Sequence, residues 1–517
     1  MNFLNTDIGI RTFQEIVNSK TYVDKSLLIK KVSEYIGTES KYLCLTRPRR
    51  FGKTINANML GAYYTKGYDS DKLFADFKIA CTQEYRDHLN QHNVIQIDFS
   101  RMPDFCTSYQ EYLESILKML KSDLAEAYSQ TRGKAYDRIS QMLWETGDSF
   151  IFILDEWDSI FHEEFVNTRD KVHFLKFLRG LLKDQPYVEL AYMTGVLPIA
   201  KYSSGSELNM FDEFNFMNDN IFDHFFGFSE GEVKELCEKN EGITFDELKR
   251  WYDGYYTSDG KSLFNPRSVT KALNRKLCLN YWTETGPMNE IADCIENNVD
   301  EVREDIVKMV SGISVEEDLH GYSALDLELN TRDEILSAMV VYGFLSYYDG
   351  HLSIPNHELM EKFQRVLSRD SMGGVKEIVD RSREMLEATI KCDEKKVASM
   401  IEYVHDQEIP FLQYGDENSL SCVITLCYLY ARKDYDIERE AKSGKGYCDY
   451  LFRPRKSGLP AIILELKSGG TCEEAIRQIK DRNYLQKTEK YQEILLVGIA
   501  YSRKKEHVCM IERCTNN

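Results

Sequence analysis

Gly52, Lys53 and Thr54 close the stretch TRPRRFGKT (Thr46 to Thr54), directly after the apolar run Tyr42 to Leu45. Such a trio can do phosphate chemistry: backbone N–H groups at a helix start point at an anion, a lysine neutralises it, and a hydroxyl holds Mg²⁺. The stretch departs from the full phosphate-loop pattern at one place, because Arg47 stands where the first glycine belongs. That exchange removes a conformationally free residue, so an altered bend is expected, with Arg47, Arg49 and Arg50 adding positive charge toward the phosphates. Ile55 to Tyr64 contain no proline and can continue as a helix.

The second half of such a site is an apolar strand ending in an acid. SFIFILDEWD supplies Asp155 after five apolar residues, with Glu156 next. Asp155 would then serve the Mg²⁺, and Glu156 would orient and polarise an attacking water. Thr194, at the end of the run Val188 to Met193, is placed to sense a terminal phosphate from a neighbouring strand. Read alone, each pattern also fits a strand followed by a solvated polar turn; the ordered pair points to a nucleotide site.

A different chemistry is offered near the end of the chain. GKGYCDYLF puts Asp449 inside one strand pattern, and AIILELKSGG puts Glu465 and Lys467 at the end of the next. Strand side chains alternate with period two, so Glu465 and Lys467 share a face, and Asp449 can approach it if the strands pair. Hard Mg²⁺ prefers such carboxylates, and Lys467 could orient or activate water. The spacing resembles the PD-(D/E)xK nuclease superfamily, which implies metal at Asp449 and Glu465, with Glu440 upstream where the superfamily often has an acid and Gln478 on the following helix as part of the site. The competing reading is a cross-strand salt bridge. The basic residues Lys442, Lys445, Arg453, Arg455 and Lys456 surround the site and could contact phosphates.

These residues need elements to hold them. From the start to about residue 225, short apolar runs (Tyr42 to Leu45, Val94 to Phe99, Phe150 to Leu154, Val188 to Met193) alternate with helical patterns, which reads as a parallel α/β sheet covered on both faces. Residues 226–286 read as a helical lid containing WYDGYY (Trp251 to Tyr256). Residues 287–373 read as an acidic, helical and winged-helix-like middle, with a helix at Ile335 to Tyr342 and a tight Asp349-Gly350 hairpin turn. Residues 374–517 read as a C-terminal α/β domain of restriction-endonuclease-like type, with strands at Ser421 to Tyr430, Tyr447 to Arg453, Ala461 to Leu466 and Ile494 to Tyr501.

The 517 residues, 43% hydrophobic and 29% charged, suit a soluble multidomain protein. No run is long enough to span a membrane and the start lacks a signal-peptide layout, so a cytoplasmic protein without membrane association is expected. Thirteen scattered cysteines without a C-x-x-C pair fit reduced thiols rather than a zinc site. The net charge of -19 argues against a chain that coats nucleic acid everywhere. Ala431 to Asn517 carries 18 Lys and Arg against 13 Asp and Glu, a balance of +5 that leaves -24 to the rest.

YVDKS (Tyr22 to Ser26), TRPRRFGKT, ILDEWD (Ile153 to Asp158), TGVLPIAK (Thr194 to Lys201) and WYDGYY resemble, over nearly the whole chain, the AAA-ATPase-like proteins that carry a C-terminal nuclease-superfamily domain. The resemblance implies a P-loop NTPase fold with Gly52, Lys53, Thr54, Asp155 and Glu156 in the roles above. It makes Arg47 a family trait and sets YVDKS near the nucleotide base.

ATP and Mg²⁺ are the cofactors expected, with Mn²⁺ able to substitute. The first functional expectation is an ATP-regulated nuclease that cuts DNA, RNA being the weaker candidate; a role in defence or mobile-element control is suggested only by analogy. The alternative is a nucleotide-gated switch, oligomeric in one form, that holds nucleic acid or a partner without cutting.

Overall fold

The computed structural model describes residues 2–103, 105–199, 207–216, 219–281, 286–319, 329–369, 374–406, 423–443, 446–481, 491–501 and 507–515. The chain divides into two units, one of residues 1–291 with 316–359, the other of residues 292–315 with 360–517.

In the first unit the four apolar runs become strands, β1 Tyr42–Thr46, β2 Asn93–Asp98, β3 Phe150–Asp155 and β4 Val188–Gly195, and a short acidic fifth, β5 Asp212–Phe214, joins them. They lie in the order β2-β3-β4-β1-β5, and every pairing is parallel. All six residues of β3 and all five of β1 are buried, as a sheet covered on both faces requires. Each fully buried Leu, Ile or Phe side chain contributes about 1.5–3 kcal/mol by leaving water.

Helices supply the crossovers: Lys53–Tyr64 after β1, Tyr109–Ala127 after β2 and Thr168–Leu182 after β3. The second of these starts where the Ser108 side chain accepts the Glu111 N–H, and the third where Asn167 accepts the N–H groups of Arg169 and Asp170. The parallel order brings the carboxyl ends of β1, β3 and β4 together. In open α/β sheets that edge is where ligands bind.

The expected lid contains the helices Glu230–Lys239, Phe245–Tyr252 and Pro266–Arg275. It also holds a small antiparallel sheet of β6 Phe228–Ser229, β7 Tyr255–Tyr256 and β8 Ser262–Phe264, in the order β6-β8-β7, which its aromatic run did not reveal. Tyr255 of WYDGYY donates its hydroxyl to the Gly343 carbonyl at 2.8 Å. Gly343 ends the helix Arg332–Tyr342, and the hairpin expected beyond it forms between β9 Ser346–Tyr348 and β10 His351–Ser353. Its two turn residues, Asp349 and Gly350, both have positive φ (49° and 75°), the conformation that matches strand twist.

The second unit is built on β11 Tyr435–Ser443, β12 Gly446–Pro454, β13 Ala461–Ser468, β14 Glu493–Tyr501 and β15 His507–Thr515, hydrogen-bonded in that order. Only β13 and β14 are parallel; the other three pairings are antiparallel. The helix Cys472–Asp481 buries Cys472, Ala475, Ile476 and Ile479, a stripe at helical spacing, and Ile476 and Ile479 pack with Leu451, Ile463, Ile494 and Leu496. One expected strand is corrected: residues 423–427 are α-helical and Leu429–Lys433 is a 3-10 helix, while 421 and 422 lie outside the described residues. A short apolar run buried on every side carries no periodicity that separates strand from helix. Among the described residues, no helix is long and apolar enough to cross a membrane.

Candidate functional site

Gly52 has φ +93°, a left-handed conformation that favours glycine, and it starts the helix Lys53–Tyr64. Arg50, with φ +74°, and Glu156, with φ +53°, are side-chain-bearing residues in the same region of φ. Strain of this kind gathers at functional sites. All three line one cavity of about 690 Å³ with Lys53, Thr54, Arg49, Tyr22, Lys25, Asp158, Arg267 and Lys271. Six of these residues are cationic. Burial, with Arg267 and Arg49 nearby, holds the Arg50 guanidinium below its ordinary pKa, while Glu156 opposes that shift. The concentration of cations creates a positive potential suited to a polyanion.

Lys53 is buried, and its ammonium donates to the carbonyls of Arg47 (3.1 Å) and Pro48 (3.2 Å). Across the sheet, the Thr194 hydroxyl donates to Asp155, because the β3–β4 register sets them side by side at the two strand ends. Burial pushes the Asp155 carboxyl up to about 6 against the opposing bond from Thr194, and Glu156 adds to the rise. The Thr54 hydroxyl also bonds to Asp155. The structure therefore brings Gly52, Lys53, Thr54, Asp155, Glu156 and Thr194 to one edge.

Arg47 departs from expectation. Its guanidinium is buried and ion-paired with Asp219, donates to the carbonyls of Thr46 (2.7 Å) and Phe214 (2.8 Å), and lies over the Phe226 ring. Arg47 acts as a bolt between the loop and the segment after β5, leaving Arg49 and Arg50 as the loop cations that line the cavity. Phe51 packs between Phe216 and Tyr255, tying the loop to the lid.

Lys25 of YVDKS, the stretch expected near the nucleotide, lines the cavity and pairs with Glu232 (2.8 Å). Two residues at this edge were not read from the sequence: Arg267 and Lys271, which come from the lid helix. A basic residue one place after the helix-starting Pro266 was the available signal. The end of TGVLPIAK, Ala200 and Lys201, lies outside the described residues.

In the second unit the antiparallel β12–β13 register runs from Phe452↔Ile462 to Tyr450↔Leu464. One step further, Asp449 accepts the Leu466 N–H at 2.6 Å through its side chain. Glu465 is buried; burial first and Asp449 second push its carboxyl up to about 7. Lys467 donates to Gln478 at 2.7 Å and to Glu465 at 3.3 Å, and Gln478 donates its amide to Glu465. Asp449, Glu465, Lys467 and Gln478 thus form one cluster. The side chains of Glu440 and Lys442, and Lys445, lie outside the described residues.

The other surrounding cations, read from the sequence as candidate phosphate contacts, are paired with acids. Arg453 pairs with Glu438, Arg455 with Asp436 (3.1 Å) and Lys456 with Asp434. The acids lie on or just before β11, whose charged sequence faces β12, so strand pairing absorbs this part of the local positive charge.

Loop, sheet order and strand-end acids define a unit of P-loop type, and the mixed sheet of the second unit is consistent with a PD-(D/E)XK fold. Residues 7–204 match the family model described as Predicted AAA-ATPase, and residues 415–511 match that of the PD-(D/E)XK nuclease superfamily. Among solved structures the chain is similar to a Walker-type ATPase of Pyrococcus abyssi, at 12% identity over 66% of this chain and 96% of that one, with a TM-score of 0.31. It is also similar to the ORC2 protein of Aeropyrum pernix in its ADPNP–ADP complexes, at 12% identity over 66% and 91%, TM-score 0.30. A third is a Signal Transduction ATPase with Numerous Domains carrying a tetratricopeptide repeat sensor, from Pyrococcus horikoshii, at 13% identity over 80% and 53%, TM-score 0.24. The comparison with curated proteins found no match.

Proposed function

We propose that this chain is an ATP-binding and ATP-hydrolysing protein whose second unit is a metal-dependent nuclease acting on DNA, with RNA the weaker substrate. Lys53 would neutralise phosphate charge, Arg49 and Arg50 would add to it, and Glu156 would orient the attacking water. Thr54 and Asp155 would hold Mg²⁺, and Thr194 would keep Asp155 aimed. Asp449 and Glu465 would hold Mg²⁺ or Mn²⁺ in the second unit. A divalent ion supplies charge stabilisation at a phosphate or phosphodiester.

The observation that carries the nuclease reading is the buried Glu465. Its Oε2 has no hydrogen-bond partner among the described residues, its pKa is raised, and Asp449 lies beside it. A buried carboxylate in that condition suits a divalent cation, because the ion offsets the cost of burying two negative charges. Among the described residues no group of three or more His, Cys, Asp or Glu could hold a metal, and within them this site offers two carboxylates, Asp449 and Glu465. Lys467, held by Glu465 and Gln478, is then placed to orient water or a phosphate oxygen.

The same hydrogen bonds favour a second reading, in which Lys467 and Glu465 are a structural ion pair and the chain is a nucleotide-gated switch that holds nucleic acid or a partner without cutting. Incubating the full chain with plasmid DNA and Mg²⁺ or Mn²⁺, with and without ATP, separates the two. Metal-dependent cleavage supports the nuclease; DNA binding without cleavage in every condition supports the switch. A role in defence or mobile-element control would suit an ATP-governed nuclease.

A further inference from the structure

The acidic turn after β3 holds a third carboxylate that the catalytic roles above leave unused. Asp158 is 1% exposed, and one of its oxygens accepts two backbone N–H groups from the turn after β4, Val196 at 3.0 Å and Leu197 at 2.7 Å. The neighbouring Trp157 N–H donates to the Thr194 carbonyl at 3.0 Å, so three hydrogen bonds stitch the turn carrying Glu156 to the residues around and after Thr194.

Gly195 makes this close approach sterically feasible. A Cβ there would lie 2.5 Å from the Trp157 ring and 2.6 Å from the second carboxylate oxygen of Asp158. The Gly195 carbonyl in turn accepts the Arg47 N–H at 3.1 Å, which carries the connection to the start of the phosphate loop. Loop, acid turn and Thr194 turn are therefore joined through one buried carboxylate and one glycine.

We propose that Asp158 is a positioning residue for ATP hydrolysis: it sets the turn bearing Glu156 against Thr194 and the phosphate loop, and contributes to the rate of hydrolysis rather than to nucleotide grip. This rests on the ATPase reading above. The backbone N–H groups need an acceptor oxygen and not a charge, so Asp158→Asn retains what Asp158→Ala removes.

The test measures ATP turnover, KM and a fluorescent ADP analogue's Kd for the full chain and for Asp158→Ala, Asp158→Asn and Gly195→Ala, with a thermal melt of each. Small displacements of reacting groups cost on the order of 10²-fold in rate, so Asp158→Ala should lose about that factor in kcat while Kd stays within about threefold. Asp158→Asn should recover most of the loss, and Gly195→Ala should show the same split between kcat and Kd. If Asp158→Ala does not melt cooperatively, Gly195→Ala decides. Undiminished kcat in the folded Ala variants, or an Asn variant no faster than a folded Asp158→Ala, overturns the proposal alone. A wild-type chain that binds nucleotide but never turns it over overturns the hydrolysis reading as well.

Discussion

Asp449 reaches across from β12 and accepts the Leu466 backbone N–H at 2.6 Å, just past the last paired residues of the two strands. A side chain thus takes over where the backbone ladder ends. The bond fixes the Asp449 carboxylate beside Glu465 and helps to raise the Glu465 pKa to about 7, behind the larger effect of burial.

That shift predicts a pH dependence. An unfolded Glu titrates at about 4.3, so between that value and about 7 the folded chain binds a proton that the unfolded chain does not. This group's contribution to stability therefore falls as pH rises through that window, and Glu465→Gln should flatten the dependence. Metal needs the ionised form, so Mn²⁺ should bind about tenfold more weakly at pH 6 than at pH 8. Calorimetric titration giving equal affinities at both pH values would show that Glu465 is not a ligand.

A second prediction concerns the phosphate loop. Lys53→Ala removes the central positive charge and should abolish ATP binding. Glu156→Gln should keep binding and slow hydrolysis by roughly 10²–10⁴-fold, the usual worth of a general base. ATP affinity unchanged in Lys53→Ala, measured by equilibrium titration, would remove the loop from the nucleotide site.

Arg47 should behave as a structural residue. Arg47→Ala leaves Asp219 buried without its cation, and breaking a buried pair in this way costs about 3–5 kcal/mol. Its thermal melt should fall sharply, while the folded fraction retains nucleotide affinity. An unchanged melt with weakened binding would return Arg47 to the phosphates.

These cases show which features a sequence displays. Gly52, Lys53 and Thr54, or Asp155 and Glu156, are local patterns in which neighbours along the chain do the work, and they were legible. The partner of Arg47 lies 172 residues away and nothing near Arg47 announces it. Asp158 was visible within ILDEWD, yet its role depends on a turn 38 residues further on. The strands β11 and β15 escaped notice because their charged, half-solvated sequences, YDIEREAKS and HVCMIERCT, lack the apolar runs that marked the central strands. The apolar 423–430 run was read as a strand for the opposite reason, being buried on nearly every side.

The last prediction separates cutting from grip. Lys467→Ala takes one cation from the cluster and leaves both carboxylates, whereas Asp449→Ala or Glu465→Ala removes a candidate ligand and should also weaken Mn²⁺ binding. All three should lose plasmid cleavage while keeping most DNA binding. That binding should fall steeply with salt, since each neutralised phosphate releases counterions. Arg453, Arg455 and Lys456 must exchange their strand-borne acids for phosphates to contribute, and exposed or half-exposed pairs of this kind are held by only about 0–1 kcal/mol. Charge reversal of the three together should therefore reduce DNA affinity without changing the metal dependence of cleavage. Should wild-type protein bind DNA yet never cut it, with Lys467→Ala behaving identically, the Lys467–Glu465 contact is an ion pair closing a strand end and the switch reading stands.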